Sequence, residues 1–354
     1  MSECSDRGGS NRKIKCVVWD LDNTLWDGVL LENDRLVLRE GVAEIIATLD
    51  RRGILQSLSS RNEHDRALAQ LAAFGLDDYF LYPQINWNPK SQSLTTIARE
   101  LNIGIDTLAF VDDQEVEREE VRFSLPSVLT IAAADLDRLL DLPEMNPRFI
   151  TEDSSRRRVM YRQDMARRKL ETDFVGPKDA FLATLQMVLT IAPAQEADLE
   201  RAEELTLRTN QLNTTGYTYS YEELSEFCRS DRHSLLVAEL EDKYGSYGKI
   251  GLTLLERRAQ VWIIKLLLMS CRVMSRGVGA VMINYLRREA KQQGVRLCAE
   301  LLPNDRNRMM YMTLKFAHFS EAERIGDLVV LESDLAQAHT LPSYLVVKAV
   351  RPQW

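Results

Sequence analysis

The first part of the chain alternates short apolar runs with amphipathic segments. From Ile14, runs such as IKCVVWD, ILQSLSS and TLAFVDD are separated by helical patterns such as EGVAEIIATLDRRG and EHDRALAQLAAFG. Short apolar runs that alternate with helices of about 10 to 15 residues predict a parallel sheet with helices on both faces. We therefore expect an α/β domain over residues 13–145.

The pattern changes after residue 145. The stretch DLPEMNPRF interrupts the alternation, and SSRRRVMYRQDMARRKLE is typical of a basic, exposed helix, so we expect a helical linker over residues 146–176. The strand patterns TLQMVLTI, SLLVAELED, KIGLTLLERR and QVWIIKLLLMSCRV then precede a glycine turn and the helix AVMINYLRREAKQQG. Consecutive strands favour an antiparallel sheet, so residues 177–354 are predicted to be an α+β domain. Residues 1–12 are predicted to be a flexible tail.

Composition excludes several classes of protein. The net charge of -8 argues against a nucleic-acid partner, because such partners need clustered Lys and Arg. The five cysteines are scattered without a CxxC pair, which fits neither a disulfide framework nor a zinc site and favours a reducing cytoplasm. No apolar run reaches the roughly 18 residues of a spanning helix. We expect a cytoplasmic protein without export signal, membrane anchor or membrane partner.

Polar residues follow three of the predicted strands, at the edge of a parallel sheet where chemistry collects. Asp20 and Asp22 can face the same side because side chains along a strand alternate with period two, although a lone DxD also fits a solvated turn. Their conjunction with other groups favours chemistry, since phosphoryl transfer needs carboxylates, a hydroxyl, an ammonium and Mg²⁺. The further groups are Thr24, Ser60, Lys90, Asp112 and Asp113.

The segments DLDNTLW, SSRN, PKS and FVDD resemble the four motifs of the haloacid dehalogenase (HAD) superfamily of phosphohydrolases, over roughly residues 14 to 131. The resemblance implies that Asp20 forms an aspartyl phosphate and that Asp22 is the general acid and base. It implies a Mg²⁺ site made by Asp20, the backbone carbonyl of Asp22, and Asp112 or Asp113. Phosphate or substrate would be bound by Thr24, Ser60, Arg61, Asn62 and Lys90. The alternative is an inactive scaffold of the same fold.

The spacing of the motifs leaves no room for a folded cap. Only 35 residues separate Thr24 from Ser60, and 29 separate Ser60 from Lys90. Each interval is mostly used by one helix and one strand, whereas caps in this superfamily are inserted there. The site is therefore expected to admit a large substrate, or to borrow a lid from the second domain.

A second group of motifs lies near the C-terminus. SCRVMSRGVGAV places Gly277 and Gly279 between a strand and a helix, where backbone N–H groups can point at a phosphate. NDRNRMMYMTLKF carries Asn304, Tyr311 and Phe316 with the spacing N-x(6)-Y-x(4)-F. Together with the strand order, this spacing resembles the GNAT acyltransferases, and it implies a groove for a pantetheine arm.

This part of the chain also departs from the GNAT pattern. Met274 stands where Gln or Arg of the phosphate loop is usual, and Lys315 where Gly normally precedes the Phe. These departures argue against ordinary acetyl-CoA chemistry, but not against the fold.

Cys271 is a candidate nucleophile in this domain. Its thiolate would be favoured by Arg272 and by the nearby helix N-terminus, whereas most free cysteines are small buried hydrophobes. Tyr311 is either an acid at a thioester or a packed helical tyrosine. In LRTNQLNTTG, Asn210 and Asn213 suit a polyol substrate, although a capped helix end also explains them.

The combined arrangement resembles the FkbH-like proteins of polyketide assembly lines, through DLDNTLWDGVL, DDQEVEREEVR, RTNQLNTT, YGSYGKIG and LLLMSCRVMSRGVG. That family transfers a glyceryl unit from 1,3-bisphosphoglycerate to the phosphopantetheine thiol of an acyl carrier protein and removes phosphate. The basic linker helix is then either a solvated face or a dock for an acidic carrier protein.

Three other functions fit the same motifs. They are a Mg²⁺ phosphatase with a non-catalytic second domain, an acyl-CoA N-acyltransferase with an accessory HAD domain, and a non-catalytic scaffold that docks a carrier protein. They differ in whether Asp20 and Cys271 matter for activity.

Overall fold

The computed structural model describes residues 13–32, 35–209, 211–337 and 341–350. Contacts divide the chain into two compact units, Met1–Arg162 and Gln163–Trp354. The division falls inside the predicted linker, residues 146–176. The predicted tail, residues 1–12, and Asn210 lie outside the described residues.

The first unit begins with the strand that carries the DxD motif. Its elements, in chain order, are β1 (Cys16–Trp19), β2 (Trp26–Asp27), β3 (Val37–Leu38), α1 (Val42–Arg51), β4 (Leu55–Ser60), α2 (His64–Ala73), β5 (Gln84–Ile85), α3 (Lys90–Leu101), β6 (Leu108–Asp112), α4 (Glu115–Ser124), β7 (Leu129–Ala132) and α5 (Glu152–Ser155).

A five-stranded sheet with the order β5-β4-β1-β6-β7 forms the centre of this unit. Its neighbouring strands all pair in parallel. Every residue of β1, β4 and β6 is buried, as expected for strands covered on both faces. The strands therefore run in the same direction, and the residues at their C-terminal ends collect at one edge of the sheet.

No folded cap interrupts the described part of this unit. Between Thr24 and Ser60 lie the short β2–β3 hairpin, α1 and β4, and between Ser60 and Lys90 lie α2, a 3₁₀ turn (Asp77–Tyr79) and β5. The parallel sheet without a large cap, predicted from the motif spacing, is confirmed.

The second unit is built on a different kind of sheet. Its elements are α6 (Arg157–Asp173), which begins in the first unit, α7 (Lys178–Thr184), β8 (Met187–Pro193), α8 (Leu199–Arg208), α9 (Tyr221–Arg229), β9 (His233–Asp242), β10 (Gly245–Arg257), β11 (Val261–Met269), α10 (Val278–Gln293), β12 (Arg296–Leu301), α11 (Arg308–Phe316), β13 (Phe319–Ile325), β14 (Leu328–Ser333) and β15 (Leu345–Ala349).

Eight strands in the described part of this unit form one sheet with the order β13-β14-β12-β11-β10-β9-β8-β15. The strands β8 to β11 are antiparallel neighbours in chain order, whereas β11 and β12 run parallel. Helices α10 and α11 pack on one face, for example through Leu286 and Leu314, and α8 and α9 pack on the other, through Leu205 and Leu224. The predicted α+β domain, with antiparallel strands that follow one another in the chain, is confirmed.

The predicted end of the strand QVWIIKLLLMSCRV is wrong. Strand β11 ends at Met269, and the residues Cys271–Arg276 form a 3₁₀ helix instead of continuing the strand. Ser270 N–H still donates to the carbonyl of Ile250 on β10, and the 3₁₀ helix that follows ends at Gly277, which adopts a positive φ of 75°.

The basic linker helix is also less exposed than its composition indicates. Within the first unit, Arg157 is buried and donates to the carbonyl of Gly53. Within the second unit, Arg167 is buried and makes two 2.8 Å hydrogen bonds to the carboxylate of Asp242. Part of its positive charge is therefore used inside each unit, which leaves less of it for an acidic partner.

Candidate active sites

The C-terminal edge of the first sheet holds a buried ion-pair cluster. Nζ of Lys90, the first residue of α3, lies 2.5 Å from Oδ1 of Asp20 and 3.1 Å from Oδ2 of Asp112. It also donates to the carbonyl of Ser59 at 2.6 Å. Asp20 directly follows β1 and Asp112 ends β6, so neighbouring parallel strands deliver the two carboxylates to one ammonium.

Burial dominates the electrostatics of this cluster. It raises the pKa of Asp20 to about 6, since the ammonium of Lys90 opposes the rise only in part and the charge of Asp112 adds to it. The pKa of Asp112 is raised by burial for the same reason. Burial alone would lower the pKa of Lys90, but the charges of Asp20 and Asp112 outweigh it and raise that pKa. Lys90 therefore stays charged.

The carboxylates fit a hard divalent cation. Oxygen atoms of Asp20, Asp112 and Asp113 all lie within 4.8 Å of one another. Oδ1 of Asp113 is buried and finds no hydrogen-bond donor among the described residues. Mg²⁺ prefers oxygen ligands and is usually held by one or two carboxylates together with substrate phosphate and water. The three residues can therefore hold Mg²⁺, with the unpartnered oxygen of Asp113 as one ligand.

The side chain of Asp22 lies apart from this cluster and is held by three donors. Its Oδ1 accepts from Nε1 of Trp26 at 2.8 Å and from the N–H of Leu30 at 3.1 Å. Its Oδ2 accepts from Nδ2 of Asn62 at 2.9 Å. The carboxylate is thereby fixed in orientation, and any part that Asp22 plays in metal binding is left to its backbone carbonyl.

The other predicted phosphate-binding residues take different positions. Ser60 is buried at the end of β4, at the same edge of the sheet as Asp20. Thr24 is fully buried, and its Oγ1 accepts from the N–H of Asp113 at 3.1 Å, so it fixes the backbone at the carboxylate cluster. Arg61 is exposed and pairs with Glu117 at 3.0 Å.

In the second unit, β11 and β12 diverge. They pair only over Val261–Ile264 and Arg296–Ala299, while β11 continues to Met269 and β12 to Leu301. Diverging strands expose backbone groups to which an extended peptide or ligand can add. Here the segment Leu212–Thr214, which follows α8, occupies that place.

Hydrogen bonds join this segment to β11 on one side and to residues that follow β12 on the other. Leu212 accepts from the N–H of Met269 at 2.9 Å, and the N–H of Thr214 donates to the carbonyl of Leu267 at 3.0 Å. On the other side, the carbonyl of Thr214 accepts from the N–H of Leu302 at 3.0 Å and from Nδ2 of Asn307 at 3.2 Å. The gap between the strands is therefore closed by the chain itself.

Asn213, one of the two amides predicted to suit a polyol substrate, serves this closure. Asn213 has no exposed surface, and its side chain bonds the carbonyl of Thr209 and the N–H groups of Thr215 and Gly216. Asn304 is exposed, and its Oδ1 accepts from the N–H groups of Arg306 and Asn307. Both side chains stabilise loops in this structure.

An apolar cavity of about 290 Å³ lies between α10 and α11. A methyl group at Gly277 would lie 2.5 Å from Oη of Tyr344, and one at Gly279 would lie 2.6 Å from Cε of Met269. Gly277 also has a positive φ of 75°, which favours glycine, whereas at Gly279 the flexible end of Met269 can move away from an added methyl group. The cavity is lined by Leu212, Met269, Val273, Met274, Gly277, Gly279, Ala280, Asn284, Met309, Thr313, Phe316 and Ala317.

Cys271 and Arg272 are close in sequence to residues that line this cavity, but they do not line it themselves. Cys271 is partly exposed in the 3₁₀ helix that separates β11 from α10. Arg272 donates to the carbonyl of Tyr247 at 2.7 Å. The glycines and the thiol are therefore neighbours along the chain without sharing one cavity.

Tyr311 faces a separate, polar cavity of about 470 Å³. Its hydroxyl donates to Glu321 at 2.9 Å, and this hydrogen bond raises the pKa of the phenol. The polar cavity is lined by Leu301, Pro303, Asn304, Asp305, Asn307, Arg308, Tyr311, Glu321, Arg324 and Val329. The structure does not bring Tyr311 together with Gly277 and Gly279.

Two hydrogen-bonding residues were not predicted in these roles from the sequence. They are Asn62, which donates to the carboxylate of Asp22, and Asn307. Asn307 is buried and bonds the carbonyls of Thr214 and Leu302 and the N–H of Asn304. Its position three residues after Asn304, just before α11, is a weak signal for a loop-capping residue. The contact with Thr214, 93 positions away, has no local signal.

None of the helices in the described part of the chain combines the length and apolar composition needed to cross a bilayer. A scan against protein-family models finds no match. A search of curated proteins finds none either.

Solved structures of two kinds resemble parts of this chain. The N-terminal part of BF1531 from Bacteroides fragilis, which contains a phosphatase domain complexed with Mg, is 29% identical over 38% of this chain, with a TM-score of 0.34. The match spans 41% of that chain.

Several acetyltransferases are among the other matches. The ribosomal-protein-S18-alanine N-acetyltransferase from Escherichia coli is 14% identical over 43% of this chain and 96% of that chain, with a TM-score of 0.34. The GNAT domain of PAT from S. lividans is 19% identical over 40% and 88%, with a TM-score of 0.32. These TM-scores are too low to assign a function, which depends on the residues of the sites.

Proposed function

We propose that the first unit is a Mg²⁺-dependent phosphohydrolase that works through an aspartyl phosphate at Asp20. The observation that carries this proposal is the buried cluster in which Lys90 contacts both Asp20 and Asp112, with Asp113 close by. Asp20, Asp112 or Asp113, and the backbone carbonyl of Asp22 would hold the metal. Bound there, Mg²⁺ would offset the negative charge of the transferring phosphoryl group.

The reaction takes two displacements at phosphorus. A carboxylate oxygen of Asp20 attacks the phosphorus, the bond to the alcohol oxygen breaks, and Asp22 gives its proton to that oxygen. Water then attacks the aspartyl phosphate while Asp22 takes a proton from it, which releases inorganic phosphate and restores Asp20. The three donors around Asp22 hold its carboxylate in one orientation.

A phosphatase assay tests this part of the proposal. Wild type should hydrolyse a phosphomonoester such as p-nitrophenyl phosphate only with Mg²⁺, and Asp20→Asn should lower kcat by at least about 10³-fold. Equal turnover by wild type and Asp20→Asn would exclude an aspartyl phosphate at this position.

For the whole chain we propose the formation of a glyceryl thioester on an acyl carrier protein, in the cytoplasm. The thiolate of Cys271 would attack the acyl carbon of 1,3-bisphosphoglycerate, and the bond to the acyl phosphate would break to release phosphate. The phosphoglyceryl group would pass to the phosphopantetheine thiol of the carrier, which regenerates the Cys271 thiolate. The remaining phosphomonoester is a substrate for the first unit, before or after transfer.

Two features support this finer proposal. The site of the first unit has no folded cap among the described residues, which suits a substrate attached to a protein. The apolar cavity of the second unit adjoins the glycine turn that follows Cys271, and its size and lining suit a flexible, largely apolar arm.

The second candidate is a phosphatase whose second unit is not catalytic. It is favoured by one observation, since Cys271 does not line the apolar cavity and Tyr311 faces a different cavity. Under this candidate, phosphate release is independent of Cys271.

Intact-protein mass spectrometry separates the two candidates. Wild type and Cys271→Ala are incubated with Mg²⁺ and enzymatically generated 1,3-bisphosphoglycerate. A glyceryl or phosphoglyceryl adduct on wild type alone supports the acyl-enzyme. Phosphate release without an adduct on either protein would exclude it and leave direct transfer or the phosphatase.

A further inference from the structure

Helix α11 presents an apolar stripe to solvent. The relative exposures of Met309, Met312 and Phe316 are 50%, 37% and 78%. Spacings of three, four and seven residues place these side chains on one helical face. Single exposed apolar residues are ordinary, but a contiguous apolar patch marks a surface that binds something. We call these three residues the α11 stripe.

The α11 stripe has a positive border in an acidic protein. Residues 306–320 contain Arg306, Arg308 and Lys315 and no Asp or Glu, whereas the chain carries a net charge of -8. Arg308 and Lys315 are exposed. The nearest acidic residues in sequence, Asp305 and Glu321, line the polar cavity, which Arg308 also lines, whereas Lys315 lies outside that cavity. The stripe therefore attracts a partner with an apolar patch bordered by carboxylates.

The α11 stripe also forms the rim of the apolar cavity. Met309 and Phe316 line that cavity together with Gly277 and Gly279. On its inner side the cavity is bounded by Leu212 and Met269, whose backbones are joined by a hydrogen bond. An arm carried by a partner on the stripe can thus enter between α10 and α11, and it meets the closed gap between β11 and β12.

We propose that the α11 stripe docks the acidic carrier protein, and that its phosphopantetheine arm enters the apolar cavity past Met309 and Phe316. This inference depends on the proposed function. It places the dock on α11 instead of helix α6, which the sequence offered as either a solvated face or a dock. In α6 the guanidinium groups of Arg157 and Arg167 are buried in contacts within their own units.

The test compares two pairs of substitutions on exposed residues of the second unit. The stripe variant carries Lys315→Glu and Phe316→Glu. The control variant carries Val346→Glu and Lys348→Glu on β15, which is the edge of the sheet opposite β13. Val346 is 57% exposed and Lys348 is exposed, so each variant replaces one exposed apolar residue and one exposed lysine.

The assay measures the dissociation constant and the KM for glyceryl transfer to a panel of phosphopantetheinylated acyl carrier proteins. We expect the stripe variant to raise both by about tenfold or more. The control variant should change neither, and added salt should weaken carrier binding to wild type. Circular dichroism and thermal unfolding of the second unit verify that both variants are folded.

Each result decides between the proposals. Glyceryl transfer with equal KM for wild type and the stripe variant would overturn the docking site and leave the proposed function intact. If wild type transfers no glyceryl unit to any carrier but remains an active phosphatase, the proposed function fails and the docking site falls with it. If wild type dimerises in sedimentation and the stripe variant does not, the stripe binds a second copy and the carrier proposal is overturned.

Discussion

The ammonium nitrogen of Lys90 lies 2.5 Å from Oδ1 of Asp20, although 70 positions separate the two residues in the chain. Both side chains are buried, and the same ammonium contacts Asp112. One cation thus compensates two carboxylates that burial would otherwise protonate. Lys90 is therefore expected to control both the charge of the nucleophile and the stability of the site.

Replacing Lys90 by Met should expose this dependence. Without the ammonium, two buried carboxylates face each other, and we expect the pKa of Asp20 to rise further. At about pH 7, kcat for p-nitrophenyl phosphate should fall by at least about 10²-fold, and loss of the buried ion pair should cost roughly 3–5 kcal/mol of unfolding free energy. Part of that stability should return at about pH 5, where protonation neutralises the carboxylates. Unchanged turnover would remove Lys90 from the mechanism.

The raised pKa of Asp20 predicts the pH dependence of metal binding. Its ordinary value of 3.8 rises to about 6, so the metal-free folded state holds more protons than the unfolded state between these values. The contribution of Asp20 to unfolding free energy is complete below about pH 4 and is lost as the pH rises through about 6. Mg²⁺ needs ionised oxygens, so its binding should strengthen over the same window.

Melting temperatures with and without Mg²⁺ check this prediction. The increase in Tm on adding Mg²⁺ should be larger at about pH 7 than at about pH 5. Asp20→Asn cannot titrate and should show a smaller dependence on pH. An equal Mg²⁺ effect at both pH values in wild type would contradict the assignment.

Thr24 offers a matched pair of substitutions. Its buried Oγ1 accepts from the N–H of Asp113, so Thr24→Val leaves that N–H unpaired at nearly constant volume. We expect a loss of about 1–3 kcal/mol in unfolding free energy and about tenfold weaker Mg²⁺ binding, measured by titration calorimetry. Thr24→Ser keeps the hydroxyl and should retain Mg²⁺ affinity. If Val and Ser bind Mg²⁺ equally well, the hydrogen bond does not position Asp113.

The sequence pattern predicts which residues meet at the first site, since the geometry of a parallel sheet determines where the ends of its strands lie. Asp20, Ser60 and Asp112 each stand at the end of a buried apolar run, and parallel strands gather such ends at one edge. The support of Asp113 by Thr24, and the cage of Trp26, Leu30 and Asn62 around Asp22, were not foreseen, since a pattern of polar positions does not specify hydrogen-bond partners.

In the second unit, the pattern of apolar and polar positions predicts the order of the strands but not the contacts of the segment between them. The order of its strands follows from successive apolar runs, but the insertion of Leu212–Thr214 between β11 and β12 depends on contacts 53 and 93 positions apart, such as those of Thr214 with Leu267 and Asn307. Polar residues in LRTNQLNTTG fit a binding loop equally well. Only the burial of Asn213 and Thr214 separates the two interpretations.

Asn307 should be the residue on which this closure depends. Its Nδ2 donates to the carbonyls of Thr214 and Leu302, and its Oδ1 accepts from the N–H of Asn304. Asn307→Asp keeps the acceptor but loses both donors in a buried position, and we expect at least about 2 kcal/mol lower unfolding free energy in urea. Asn304→Asp, on an exposed side chain that mainly accepts, should stay within about 0.5 kcal/mol of wild type. Similar effects of both variants would contradict the special role of Asn307.

Gly279 tests whether the apolar cavity holds the arm of a substrate. A methyl group at this position would lie 2.6 Å from Cε of Met269, whose flexible thioether can shift, and helical Ala is favoured over Gly by about 1 kcal/mol. Gly279→Ala should therefore fold with nearly unchanged Tm while the cavity narrows. We expect weaker binding of pantetheine in ligand-observed NMR and unchanged phosphatase turnover. Thr313→Ala, which enlarges the cavity from α11, should not weaken binding. If Gly279→Ala binds pantetheine as wild type does, the arm uses another surface of the second unit.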